Sequence, residues 1–152
     1  MNGIEILKYV VFGYSFLVGL VSFSISDDLR NPKIFRKCLI ASIISFSLGV
    51  VFELVDIFRI ETGMTILLMS ISIIYLGFYS FLRKLFKSWK GTDPYITSAS
   101  STIGGSPIGG IWTKYPRNRK IMWTDYLFSF AQALIPIFTI AGLMILIIEM
   151  NK

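Results

Sequence analysis

Long apolar stretches alternate along the chain with short, strongly charged ones. Residues 9–26, 38–52, 62–82 and 126–148 contain no Asp, Glu, Lys or Arg over 18, 15, 21 and 23 positions. A helix needs about 20 apolar residues to cross roughly 30 Å of hydrocarbon. Three of the runs reach that length with modest flanks. The second does so only with Glu53 and Asp56 inside the span. The pattern predicts an all-α membrane protein of four transmembrane helices, at about residues 4–25, 35–58, 64–90 and 123–148, in a single domain over residues 1–152. The first run could also be a signal peptide, but Glu5 beside Lys8 and the sequence Ser24-Ile25-Ser26 fit that pattern poorly, so a retained helix is expected.

Between helices one and two, Asp27, Asp28, Asn31 and Pro32 mark a turn. Ala41, Ser45 and Gly49 then recur at spacing four on helix two. Such rows let backbones approach closely in lipid, where packing replaces the hydrophobic drive. Helix two is therefore the expected centre of the bundle or a contact between subunits. Ser15 and Gly19 form a smaller row on helix one. Residues 59–63 are a tight turn, making helices two and three an antiparallel hairpin. Helix three ends in an amphipathic extension, with Leu82, Leu85, Phe86 and Trp89 at i, i+3, i+4 and i+7. Helix four contains Gln132 and Pro136, where a backbone hydrogen bond is lost and a kink is expected.

The one long connection, residues 91–122, is predicted to be a loop with a short β-hairpin-like insertion. Residues 94–113 carry no charge and surround a centre with Gly104, Gly105, Gly109 and Gly110. The flanks from Tyr95 and through Ile111 and Trp112 read as strands. A re-entrant loop is the competing reading, tolerable only where protein covers its backbone. Trp112, Tyr115, Trp123 and Tyr126 are expected at the headgroup level as anchors.

Charge adds orientation to this picture. Of the 15 Lys and Arg residues, 12 fall in the two loops after helices one and three. Only Lys8, Arg59 and Lys152 lie on the other side. Basic loops stay cytoplasmic, so both termini are expected outside the plasma (inner) membrane. The net charge of +6 then needs no nucleic acid. Arg83, Lys84, Lys87, Lys90, Arg117, Arg119 and Lys120 are expected to contact anionic lipid headgroups.

Candidate chemistry is sparse. The chain has no histidine, which removes Ser-His and Cys-His pairs and most transition-metal sites. Its one cysteine, Cys38, rules out an internal disulfide. The glycine-rich loop lacks the Lys-Ser/Thr of a phosphate loop. No catalytic residue, cofactor or metal site is expected, nor direct binding of nucleic acid. Glu53, Asp56 and Arg59, at spacing three on the predicted helix two, make the one polar stripe. An intramembrane acid marks a functional position by default. The plainer reading is a pair at the outer interface. Gln132 is the second intramembrane polar group.

No membrane enzyme, channel filter or transporter motif is present. The expectation is a non-enzymatic homo-oligomeric sensor or scaffold that recruits a cytosolic protein through its basic inner loop, as in phage-defence, exclusion or immunity systems. The alternative is a pore lined by the helix-two stripe.

Overall fold

The computed structural model describes residues 3–58, 60–97, 101–107, 109–113 and 119–152. Among them are four α-helices: α1 (Gly3–Ser24), α2 (Pro32–Leu54), α3 (Met64–Lys90) and α4 (Trp123–Met150). A single 3-10 turn, Asp28–Arg30, links α1 to α2. All four helices are long and apolar enough to cross a membrane.

Local chemistry sets the helix ends. Asn31 caps α2 by accepting the Lys33 N–H at 3.0 Å, and Pro32 stands at the first turn, where its missing N–H costs nothing. Gly63 (φ +91°) and Gly91 (φ +70°) bracket α3 in left-handed conformations that a Cβ disfavours. Asp125 accepts the Met122 N–H at 2.8 Å and so closes the first turn of α4. α4 continues through Pro136, which is buried.

The central helix is α3, not α2. It packs on α1, α2 and α4, and half of its apolar stretch is buried, against 17% in α1 and α2 and 6% in α4. Two serines fasten neighbours to adjacent α3 carbonyls: Ser15 of α1 donates to Leu68 O and Ser45 of α2 to Met69 O, each at 2.9 Å. The small-residue row of α2 therefore faces α3 within the chain. A Cβ on Gly49 would stand 2.6 Å from the Met69 Cβ, closer than two such atoms can come.

What is buried and what is exposed fits lipid better than water. Ser15, Ser42, Ser45, Ser72 and Gln132 are buried along the spans, while Phe16, Ile44, Phe81 and Phe138 are exposed. Water would drive those large apolar side chains inward. In hydrocarbon they are already in a compatible solvent, and small residues serve helix approach instead.

Two expectations need correction. The chain leaves the helix at Leu54, four residues earlier than expected, and Asp56 adopts φ +48°. The reversal buries Phe58 between Phe52 and Phe12, with ring centroids 5.1 and 5.4 Å away. Helical spacing thus cannot place Asp56 on a stripe with Glu53. The second correction concerns the loop: no strand occurs among the described residues, so the β-hairpin is absent there. The N–H groups of Tyr95, Thr97, Ile111 and Trp112, where strands were expected, go to side chains rather than to a ladder.

Candidate functional site

The described residues of the long connection, 91–97, 101–107, 109–113 and 119–122, form a cap across the end of the bundle where the basic residues gather. Three aspartates hold it. Asp28, in the turn after α1, is buried and accepts the Ile111 N–H at 2.8 Å and the Trp112 N–H at 2.9 Å. Gly110 makes that approach possible, since a Cβ there would lie 2.5 Å from the Asp28 carboxylate. Asp125, in the first turn of α4, is fully buried and accepts the Tyr95 N–H at 3.0 Å and the Arg119 guanidinium at 2.9 Å.

Asp93 ties the start of the cap to α3 and to the 3-10 turn after α1. It meets Arg83 at 3.3 Å, Arg30 at 3.5 Å and Lys87 at 3.7 Å. Partial burial alone would raise its carboxyl. The Arg83 hydrogen bond and charge, with Arg30 and Lys87, outweigh burial and hold it below the usual carboxylate range. It is therefore ionised at neutral pH. Tyr95 follows, buried, with the guanidinium carbons of Arg119 and Arg30 at 4.2 and 4.5 Å from its ring centroid. Both cations gain from the ring's negative face. Arg119 also donates to the Asp93 carbonyl.

The rest of the cap is fixed by single bonds. Thr97 N–H donates to Ser129 Oγ at 2.8 Å, and Tyr126 OH donates to the Ser101 carbonyl. A turn at Gly104 (φ +82°) exchanges backbone bonds with Ile121, Gly104 N to Ile121 O at 2.9 Å and Ile121 N to Gly105 O at 3.0 Å. Facing away from this framework, Ile103, Ile111 and Trp112 remain 71, 77 and 61% exposed. Lys84, Lys90 and Lys120 are exposed at the same end, and the Lys90 ammonium sits over the Trp89 ring at 4.4 Å. Trp89 in turn meets Trp123 edge-on at 6.2 Å.

The residues singled out by sequence fall in several places. Tyr95, Gly110, Ile111 and Trp112 belong to the cap framework, and Gly104 and Gly105 to its turn. Gly109 is exposed. Arg83 and Arg119 are drawn into ion pairs with Asp93 and Asp125 rather than left facing outward. Glu53 lies at the opposite end, where its carboxylate accepts the Gly63 N–H and closes the α2–α3 turn; Asp56 there is exposed. Gln132 is buried and accepts the Tyr75 hydroxyl at 3.0 Å. On α2, Ser45 and Gly49 face α3, while Ala41 is half-buried and Ser42 takes the buried place beside it. Arg59, Arg117 and Tyr115 lie outside the described residues.

Sequence reasoning missed Asp28, Asp93 and Asp125 as a set. The available signal was their sign. Only four acids, these and Asp27, occur on the side that holds 12 basic residues. Acids kept among so many cations are natural internal partners.

The arrangement defines a class of protein: four helices fit to span a membrane, closed at their basic end by a folded cap fastened by buried carboxylates. No family model, curated protein or solved structure matches the chain.

Proposed function

We propose that this protein is a non-enzymatic membrane scaffold whose cap recruits a cytosolic protein. The observation that carries this is the cap itself. Its backbone is held by buried Asp28 and Asp125, yet it presents Ile103, Ile111 and Trp112 to the outside. Ordering a loop costs about 1–2 kcal/mol per residue in backbone entropy, so rigidity that leaves large apolar groups exposed calls for a use. Rigid aromatic and aliphatic anchors amid lysines suit a partner with an apolar patch and an acidic rim. The scaffold is taken to be a homo-oligomer, with its cap in the cytoplasm. No specific observation favours a conducting pathway, because Glu53 and Gln132 are both engaged in structural hydrogen bonds.

A photo-reactive amino acid at Ile111 or Trp112 should give an ultraviolet-dependent adduct of discrete mass in living cells. The same group at lipid-facing Phe138 should give none. Ile111→Asp combined with Trp112→Ala should then abolish co-purification of the cross-linked protein while membrane insertion is unchanged. Undiminished co-purification in that variant would overturn the docking role.

Orientation has its own test. A cysteine replacing exposed Thr92 should resist an impermeant thiol reagent in intact cells, whereas one replacing Lys152 should react. Reaction at position 92 would put the cap outside and remove a cytosolic partner from consideration.

A further inference from the structure

Beside the cap lies a cavity of about 290 Å³ that partner recruitment does not use. Its polar wall is Arg30, Arg83, Lys84 and Lys87, with Asp93 the one carboxylate among them. Four cations against one anion leave a surplus of three positive charges. Arg83 and Lys87 lie one helical turn apart on α3, and Arg30 reaches in from the turn after α1, so the charges converge from two elements. Ser80 adds a hydroxyl one turn before Arg83 and Lys84. Leu29, Pro32, Phe35 and the ring of Tyr79 complete the lining with apolar groups.

Depth is the second consideration. Arg83 directly follows the charge-free run 62–82, and Leu29 and Arg30 follow the run 9–26. The cavity therefore sits where the apolar spans give way to charge, at the level of lipid headgroups. A ligand there meets both cations and apolar side chains.

We infer that this cavity binds the phosphate headgroup of an anionic phospholipid. The guanidinium groups of Arg30 and Arg83 suit phosphate oxygens, and the exposed Lys84 and Lys87 supply the attracting field. The glycerol and first methylenes of the lipid would lie along Phe35 and Pro32. Soluble phosphate would satisfy the cations but leave the apolar lining unused. Zwitterionic headgroups would bring their own cation into a site already rich in them. The site would bind lipid whether or not the cap also recruits a protein.

The test uses the full-length protein in a neutral detergent, titrated with dioctanoyl phosphatidylglycerol, dioctanoyl phosphatidylcholine, glycerol 3-phosphate or inorganic phosphate, and read by thermal shift. Saturable stabilisation is expected from phosphatidylglycerol, with much weaker effects from the other three. Lys84→Gln combined with Lys87→Gln should weaken that binding by roughly thirtyfold, at about 1 kcal/mol for each basic residue. Lys84 is exposed, and the largely exposed Lys87 meets Asp93 only at 3.7 Å while Arg30 and Arg83 stay on that carboxylate, so the ligand-free variant should melt close to the wild type. Lys8→Gln with Lys152→Gln removes equal charge at the other end and should leave binding intact. Equal responses to phosphatidylglycerol and phosphatidylcholine would overturn the site. So would unchanged affinity in the Lys84/Lys87 variant, or inorganic phosphate binding as tightly as the lipid.

Discussion

Replacing Asp125 with alanine should release the cap from the bundle while leaving all four helices in the membrane. Asp125 is fully buried and accepts three donors at once: the N–H groups of Met122 and Tyr95 and the guanidinium of Arg119. Removing it strands a largely buried cation and two backbone donors. Removal of one partner from a buried ion pair costs about 3–5 kcal/mol, because the other charge is left unpaired. Arg119 also stacks on Tyr95 and donates to the Asp93 carbonyl, so its displacement should spread through the start of the cap. The helices themselves do not depend on this carboxylate, since their insertion follows from apolar length. Limited trypsinolysis in detergent should show the change as rapid cleavage after Arg119 and Lys120, which the wild type resists. Glu149→Ala, an exposed acid at the other end of α4, should leave the digestion pattern as it is. A wild-type pattern from Asp125→Ala would mean that the cap is held by other contacts.

That cap was the least legible part of the chain, and the reason is range. The four spans are written locally, because their apolar length is carried by consecutive residues and the charge-free runs record it directly. The turn residues Asn31-Pro32, Gly63 and Gly91 sit at the helix ends they set. The bond from Ile111 to Asp28 instead joins residues 83 apart, and the one from Tyr95 to Asp125 joins residues 30 apart. No periodicity carries such a pairing. The β-branched residues of the loop suggested strands, but Pro94 and Pro107 lack N–H groups and four glycines weaken any ladder. Distant carboxylates then took the donors a strand partner would have used. A similar limit applies at the far end of α2. Spacing three between Glu53 and Asp56 implied one helical face only while the helix was assumed to continue. The burial of Phe58 ends it first.

Four of the nine carboxylates, those of Asp28, Asp93, Asp125 and Glu53, hold turns or loops at the ends of the bundle and divide by role. Asp28, Asp93 and Asp125 fix a loop that shows apolar groups to the outside, and Glu53 only closes a short turn. Polar investment is therefore concentrated at the basic end. The cavity proposed for lipid and the exposed Ile103, Ile111 and Trp112 proposed for docking lie at that same end.

Gly49→Leu should disrupt the bundle itself. Gly49 faces α3, and the missing side chain is what lets α2 come close enough for Ser45 to reach the Met69 carbonyl at 2.9 Å. A Cβ alone would meet Met69 Cβ at 2.6 Å and Met69 Cγ at 3.1 Å. Met69 is fully buried and has no room to withdraw. Leucine adds three further carbons to that clash, and the helices must separate or rotate. Overpacking a close-packed site costs about 1–3 kcal/mol, and loss of the Ser45 bond adds to it. Gly77→Leu supplies the matched control, because Gly77 is exposed on the same central helix and has open space where a Cβ would go. Both variants should insert, since neither shortens an apolar run. In detergent, Gly49→Leu should melt well below the wild type and elute as a broadened, aggregating species, while Gly77→Leu should behave as the wild type does. If the row on α2 instead joined subunits, Gly49→Leu would yield a smaller oligomer of unchanged thermal stability. That result would contradict the close approach of α2 to α3 within one chain.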